Sequence, residues 1–145
     1  MARYKKILVL LDLSEASEQV ALAAREVADS YGAALVILHV VEYVPVEPVG
    51  EAIMPMMQVE EELLARARVK LNELTARTKL SGVATRIEAG NTKAEILRVA
   101  DEERADLIVL GSRERHGLAI LVNLTEDTVL HAAHCDVLAV RLRSP

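Results

Sequence analysis

The stretch Lys6-Ile7-Leu8-Val9-Leu10-Leu11-Asp12 decides the fold. Its five apolar residues run on without a polar break, and an Asp closes them. A strand with one face in water alternates apolar and polar residues, whereas a strand covered on both faces does not. The run therefore predicts a buried strand of a parallel sheet. The period then changes. Over 15–31, Val20, Ala24, Val27, Ala28 and Tyr31 recur at helical spacing, and Gly32 supplies a stop. Ser14 is placed to cap this helix, and Glu15 and Glu18 suit its positive end.

The alternation continues outward. Ala34 to Val41 reads as a second buried strand. The Pro- and Met-containing segment from Glu42 to about Met57 is too long for a plain connector and reads as an excursion. A long helix follows on the stripe Val59, Leu63, Ala67, Leu71, Leu74. Glu60, Glu61 and Glu62 stand near its start, and Arg77 and Lys79 near its end, the charge order that the helix dipole favours. Val83 to Ala89 is a weaker third strand. Gly90-Asn91 makes a turn, and Thr92-Lys93-Ala94-Glu95 reads as a capping box with Ile96, Val99 and Ala100 on the buried side. Asp106 to Gly111 is a fourth strand ending in a glycine turn. A helix over roughly 119–133 and a strand at Val137–Val140 close the chain. Strand and helix alternate throughout. That order predicts an α/β domain over 1–145: an open twisted parallel sheet, helices on both faces, right-handed crossovers.

Composition narrows the function. The chain has 145 residues, 52% hydrophobic and 27% charged, with a net charge of -5. This is a globular composition with no global pull toward nucleic acid or anionic membrane. The aromatics are Tyr4, Tyr31 and Tyr43 alone, too few for a base-stacking platform. No apolar run is long enough to span a bilayer. The lone Cys135 precludes an internal disulfide, so a reducing cytoplasm is expected. The basic start Arg3-Tyr4-Lys5-Lys6 leads into a run that stops at Asp12, which reads as a strand and not as a secretion signal.

In an open parallel sheet, ligands bind beyond the carboxyl ends of the strands. The residues to inspect are thus Asp12-Leu13-Ser14, Val40-Val41-Glu42, Glu88-Ala89-Gly90 and Gly111-Ser112-Arg113. They hold no G-x-G-x-x-G after the first strand, and the chain has no G-x-x-x-x-G-K-[ST] and no G-x-S-x-G elbow. The clustered acids of a phosphoacceptor domain are missing too. Dinucleotide, P-loop, hydrolase and receiver chemistries are set aside on these grounds.

Three motifs instead resemble the universal stress proteins. Lys6 to Ser14 is similar to that family's opening strand. Ala105-Asp106-Leu107-Ile108-Val109-Leu110-Gly111-Ser112 is similar to its fourth strand and first glycine, and Val129 to Val140 to its last helix and closing strand. The resemblance covers nearly the whole chain. It implies a Rossmann-like five-stranded sheet of order 3-2-1-4-5 and a homodimer formed through the last strands. It also implies a crevice in which some members bind ATP or AMP. There, backbone N–H groups of a G-x2-G-x9-G-[ST] loop wrap the phosphates, and an Asp after the first strand holds the adenosine end. Carried onto this chain, the crevice comprises Asp12, Leu13, Val40, Gly111, Ser112, Arg113, Gly117, Asn123 and Leu124.

The loop departs from that pattern. Gly111 matches the first glycine, but Glu114 holds the second position and Asn123-Leu124 stands near the third glycine and its hydroxyl partner. Glycines let the backbone approach a phosphate closely and at positive φ. A carboxylate there would also repel the polyanion, by roughly 4 kcal/mol at about 4 Å and an effective dielectric of about 20. Arg113 and Arg115 offset part of this, and Gly117 keeps one flexible point. The pattern matches the kind of member that does not depend on ATP. The expected function is a dimeric stress-response module acting by association with no required cofactor, its alternative an ATP- or AMP-binding member with a modified phosphate loop. An enzyme reusing the crevice ranks last, for want of a nucleophile–base motif.

Three further features stand beside this reading. His131, His134 and Cys135 are close enough for a metal site, but no other Cys or His cluster completes four ligands, so a helix end is the simpler reading. Ile53-Met54-Pro55-Met56-Met57 is either an adaptable partner surface or a core flap. Val137-Leu138-Ala139-Val140-Arg141-Leu142 is an apolar last strand suited to pairing with its own copy across a twofold axis.

Overall fold

The computed structural model describes residues 2–42, 53–113 and 124–143. Its elements are β1 (Lys6–Leu10), α1 (Ser17–Tyr31), β2 (Ala34–Glu42), α2 (Ile53–Arg77), β3 (Ala84–Gly90), α3 (Thr92–Glu103), β4 (Leu107–Arg113), α4 (Leu124–Ala132) and β5 (Asp136–Leu142). The strands form one sheet in the order β3-β2-β1-β4-β5, every pairing parallel. This is the expected α/β architecture and strand order.

The pleat explains why β1 sits in the middle. Ile7, Leu8 and Val9 are all fully buried, although neighbours along a strand point to opposite faces. Ile7 and Val9 join one core with Leu35, Ile37, Val20 and Ala24 of α1, and Leu71 and Leu74 of α2. Leu8 joins the other with Val36, Leu38, Ile108, Ile96 and Val99 of α3, and Val129 of α4. Burying each such side chain contributes about 1.5–3 kcal/mol. Only a strand covered on both faces can collect that twice over.

Several local expectations change. Helix α2 begins at Ile53, so residues 53–57 are helical and not part of an excursion; 43–52 lie outside the described residues. Pro55 fits because the first turn of a helix has no need of its N–H. Val59 is 49% exposed, and Ala67 is the first fully buried side chain of α2 among the described residues. The reason is length: the 25 residues of α2 span about 37 Å at about 1.5 Å per residue, and a seven-residue strand covers only about 23 Å. A helix of that length outruns the strands it packs on. The predicted start of the last helix, 119–123, lies outside the described residues.

The caps differ as well. Helix α3 is capped by Asn91, whose side chain accepts from the Ala94 N–H at 3.0 Å; Thr92 is the first helical residue and not the cap. Gly90 before it has φ +144, which a β-carbon would strain. Ser14 does not cap α1 with its side chain either, since the N-cap position is Ala16 and carries no side-chain bond. Gly32 does end α1, at φ 64.

The amino-terminal arm is tied to β5. The Tyr4 hydroxyl donates to Asp136 at 2.8 Å, Arg3 pairs with the same oxygen at 2.8 Å, and the Tyr4 ring meets Tyr31 edge-on at 4.9 Å. Tyr31, 40% exposed, therefore packs on the arm and not on the deep core. On the α3 side, Glu103 receives Lys6 and Arg86, both at 3.2 Å. The Tyr4 hydroxyl and then Arg3 hold the Asp136 carboxyl below its ordinary range. Lys6 and then Arg86 do the same for Glu103.

Two outcomes follow for stability. Asn91→Ala should cost about 1 kcal/mol in urea unfolding through loss of a cap, whereas Thr92→Ala should change it little. The second concerns pH. Both carboxyls have depressed folded-state pKa values, so the unfolded chain binds more protons in acid. Their contribution is complete above the ordinary values of 3.8 for Asp136 and 4.5 for Glu103 and disappears as pH falls through the lower folded values. The urea midpoint should thus fall between pH 6 and pH 3, and less steeply in the Asp136→Asn, Glu103→Gln double variant.

Candidate functional site

The register gathers the expected crevice at the carboxyl edge of the sheet. Leu10 pairs with Leu38 and Val9 with Val109. Carried on by two residues, these registers set Asp12 level with Val40, and Leu11 level with Gly111. Ser112 and Arg113 continue β4 beside Arg141 and Leu142 of β5. Asp12, Leu13, Val40, Gly111, Ser112 and Arg113 thus stand on three neighbouring strand ends. Leu124 opens α4, while Gly117, Asn123 and Glu114 lie outside the described residues.

Asp12 is exposed, and its carboxylate is engaged locally. Oδ1 accepts the Ser14 N–H at 2.9 Å and the Ser17 hydroxyl at 2.8 Å. It thereby supplies the negative charge at the amino end of α1 that Ser14 was expected to serve. Leu13 between them has φ +62, a left-handed conformation that leucine rarely adopts. Its side chain packs against the α1-side core, and Val40 is buried in the α3-side core at 7% exposure. At Val40 the crevice therefore meets backbone.

Gly111 stands within β4, not after it. It is not a turn closing the strand, because β4 runs on to Arg113. Nor does it need positive φ. A β-carbon at this position would meet Leu142 Cδ1 at 3.0 Å and Val20 Cγ2 at 3.1 Å. A small residue is favoured here because α1 and β5 close over it. Sequence reading also missed His39, whose Nδ1 lies 2.7 Å from the Leu11 carbonyl. A lone polar residue inside the run Leu38-His39-Val40 was the available signal.

The comparisons with known proteins agree with this geometry. The sequence model of the universal stress protein family matches residues 3–141. The chain belongs to the universal stress protein family. It is 35% identical to universal stress protein A homolog 2 of Coxiella burnetii over 99% of both chains. It is 37% identical to homolog 1 of that organism, covering 97% of this chain and 98% of the relative. Among solved structures, universal stress protein UspA from Lactobacillus plantarum superposes with a TM-score of 0.79 at 26% identity, over 97% of this chain and all of that one. A universal stress protein in complex with cAMP superposes with a TM-score of 0.71 at 25% identity, covering 97% and 98% of the two chains.

Other candidate chemistry is thin. His134 Nδ1 lies 3.2 Å from Asp101 Oδ1, both exposed. Among the described residues no group of three or more His, Cys, Asp or Glu could hold a metal ion. Burial pushes the Cys135 thiol up, away from thiolate reactivity. No described helix is long and apolar enough to cross a membrane.

Gly111→Ala tests the packing account. It should destabilise the fold by about 1–3 kcal/mol in urea unfolding, the usual cost of overpacking, and Leu142→Ala should relieve part of that in the double variant. Equal losses with and without Leu142 would contradict the account.

Proposed function

We propose that this universal stress protein is a cytoplasmic regulatory or protective module, one domain over 1–145, that works as a homodimer by association and not by turnover. The observation that supports the reading is the place of β5 at the edge of the sheet, where no described strand pairs with its outer side. This strand is last in the sheet and pairs with β4 on one side. Its other side presents backbone N–H and C=O groups, an arrangement suited to pairing with a second strand. Leu138 is 37% exposed and Ala139 is exposed, while Val137, Val140 and Leu142 are half-buried and pack inward. Val137 to Leu142 of two copies, run antiparallel about a twofold axis, would join two sheets into one and cover Leu138.

A second reading has its own support. Asp12, Val40 and Gly111 share one edge, and a structural neighbour holds cAMP. On that reading the crevice takes a nucleotide such as ATP or AMP, with Gly117, Asn123 and Leu124 completing it. Glu114 in the loop weighs against triphosphate binding, and the packing around Gly111 explains that glycine without a phosphate.

Two measurements separate the readings. The native protein should run in light scattering at twice the chain mass of 15.9 kDa. Leu138→Lys should shift it to the single-chain mass by placing like charges across the axis. Calorimetric titration with ATP·Mg should show no binding up to millimolar concentration, with affinity gained in Glu114→Gly if the crevice itself is intact. Micromolar binding by the native protein would make the second reading the correct one.

A further inference from the structure

We propose that His39 is the positioning residue of the crevice: it fixes where β1 ends, and so where the Asp12–Leu13 turn stands, whatever ligand the crevice takes. The backbone ladder between β1 and β2 ends with the Leu11 N–H donating to the Leu38 carbonyl at 2.9 Å. By register the next pair would be Leu11 and His39. There the His39 ring steps in, with Nδ1 at 2.7 Å from the Leu11 carbonyl. A carbonyl oxygen only accepts, so Nδ1 carries the proton. The imidazole thus does for the Leu11 carbonyl, just past β1, what a neighbouring strand's N–H does for carbonyls within the strand. The chain is then free to leave the sheet.

What it leaves into is a demanding turn. One residue on, Asp12 Oδ1 gathers the Ser14 N–H and the Ser17 hydroxyl, and Leu13 sits at φ +62. A leucine in that region costs roughly 1–2 kcal/mol, and such strain persists only where its surroundings over-determine it. Asp12 holds the turn from the α1 side, and His39 holds it from the sheet side. The same bond dictates the ring's other nitrogen. With the proton on Nδ1, Nε2 of the neutral ring is an acceptor. No buried side-chain nitrogen or oxygen among the described residues lacks a partner. Nε2 makes no bond with the described residues and is therefore open to solvent, beside the turn.

The test uses the ring's nitrogen signature and two variants. In 15N-labelled native protein, His39 should show the Nδ1–H tautomer in its neutral form. His39→Asn keeps an N–H donor near the Nδ1 position, and His39→Leu removes it. Amide exchange at 12–17 should be at least tenfold faster in His39→Leu than in the native protein, with exchange in β1 and β4 little changed. His39→Asn should recover most of the difference. An Nε2–H tautomer, or an Asn variant exchanging as fast as the Leu variant, would overturn the proposal. So would a Leu variant whose amides at 12–17 exchange as in the native protein, and so would equal acceleration across the whole sheet, which would make His39 a core residue and nothing more.

Discussion

Burial of β1 on both faces is the constraint on which the rest depends. Ile7, Leu8 and Val9 point alternately to opposite sides and are all fully shut from water. Two covered faces need helices on both sides, which parallel crossovers provide. A strand so enclosed must also be paired along both edges, because its backbone groups have no water to turn to. β2 and β4 supply those partners. The chain order then places the reversal of strand order at β1, the point at which open α/β sheets take ligands.

The same constraint makes the end of β1 the most worked point of the molecule. The strand must change from fully paired to unpaired within one residue. Leu11 bonds backward through its N–H to Leu38 and sideways through its carbonyl to His39. Asp12 then binds forward to Ser14 and Ser17 and sets the amino end of α1. Leu11 is satisfied by groups of β2, and Asp12 by groups at the start of α1. Asp12 is thus a structural residue, and its loss would loosen the start of α1.

The strands, helices and topology class were legible because burial leaves periodic marks. The continuous runs at Ile7–Leu11, Leu35–Leu38 and Leu107–Leu110 mark strands with two covered faces. What was not legible depends on partners distant in sequence. Asn91 and Thr92 are both good cap formers, and which of them caps α3 rests on one backbone torsion. Ser14 fits a cap by composition, but Asp12 reached the helix first. The extent of α2 was hidden because Met57 and Val59, near its start, are exposed and leave no buried stripe to read. His39 left almost no trace, since its partner is a carbonyl 28 positions away.

Gly111 shows why motif matching and physical reading can part company. A glycine after the fourth strand invites a phosphate-loop reading, since loops that wrap phosphate need close backbone approach. Here Val20 and Leu142 also stand close to where a β-carbon would be. Because α1 and β5 meet over β4, the space above Gly111 is filled by the fold itself. This packing favours a small residue at the position whether or not a phosphate is bound.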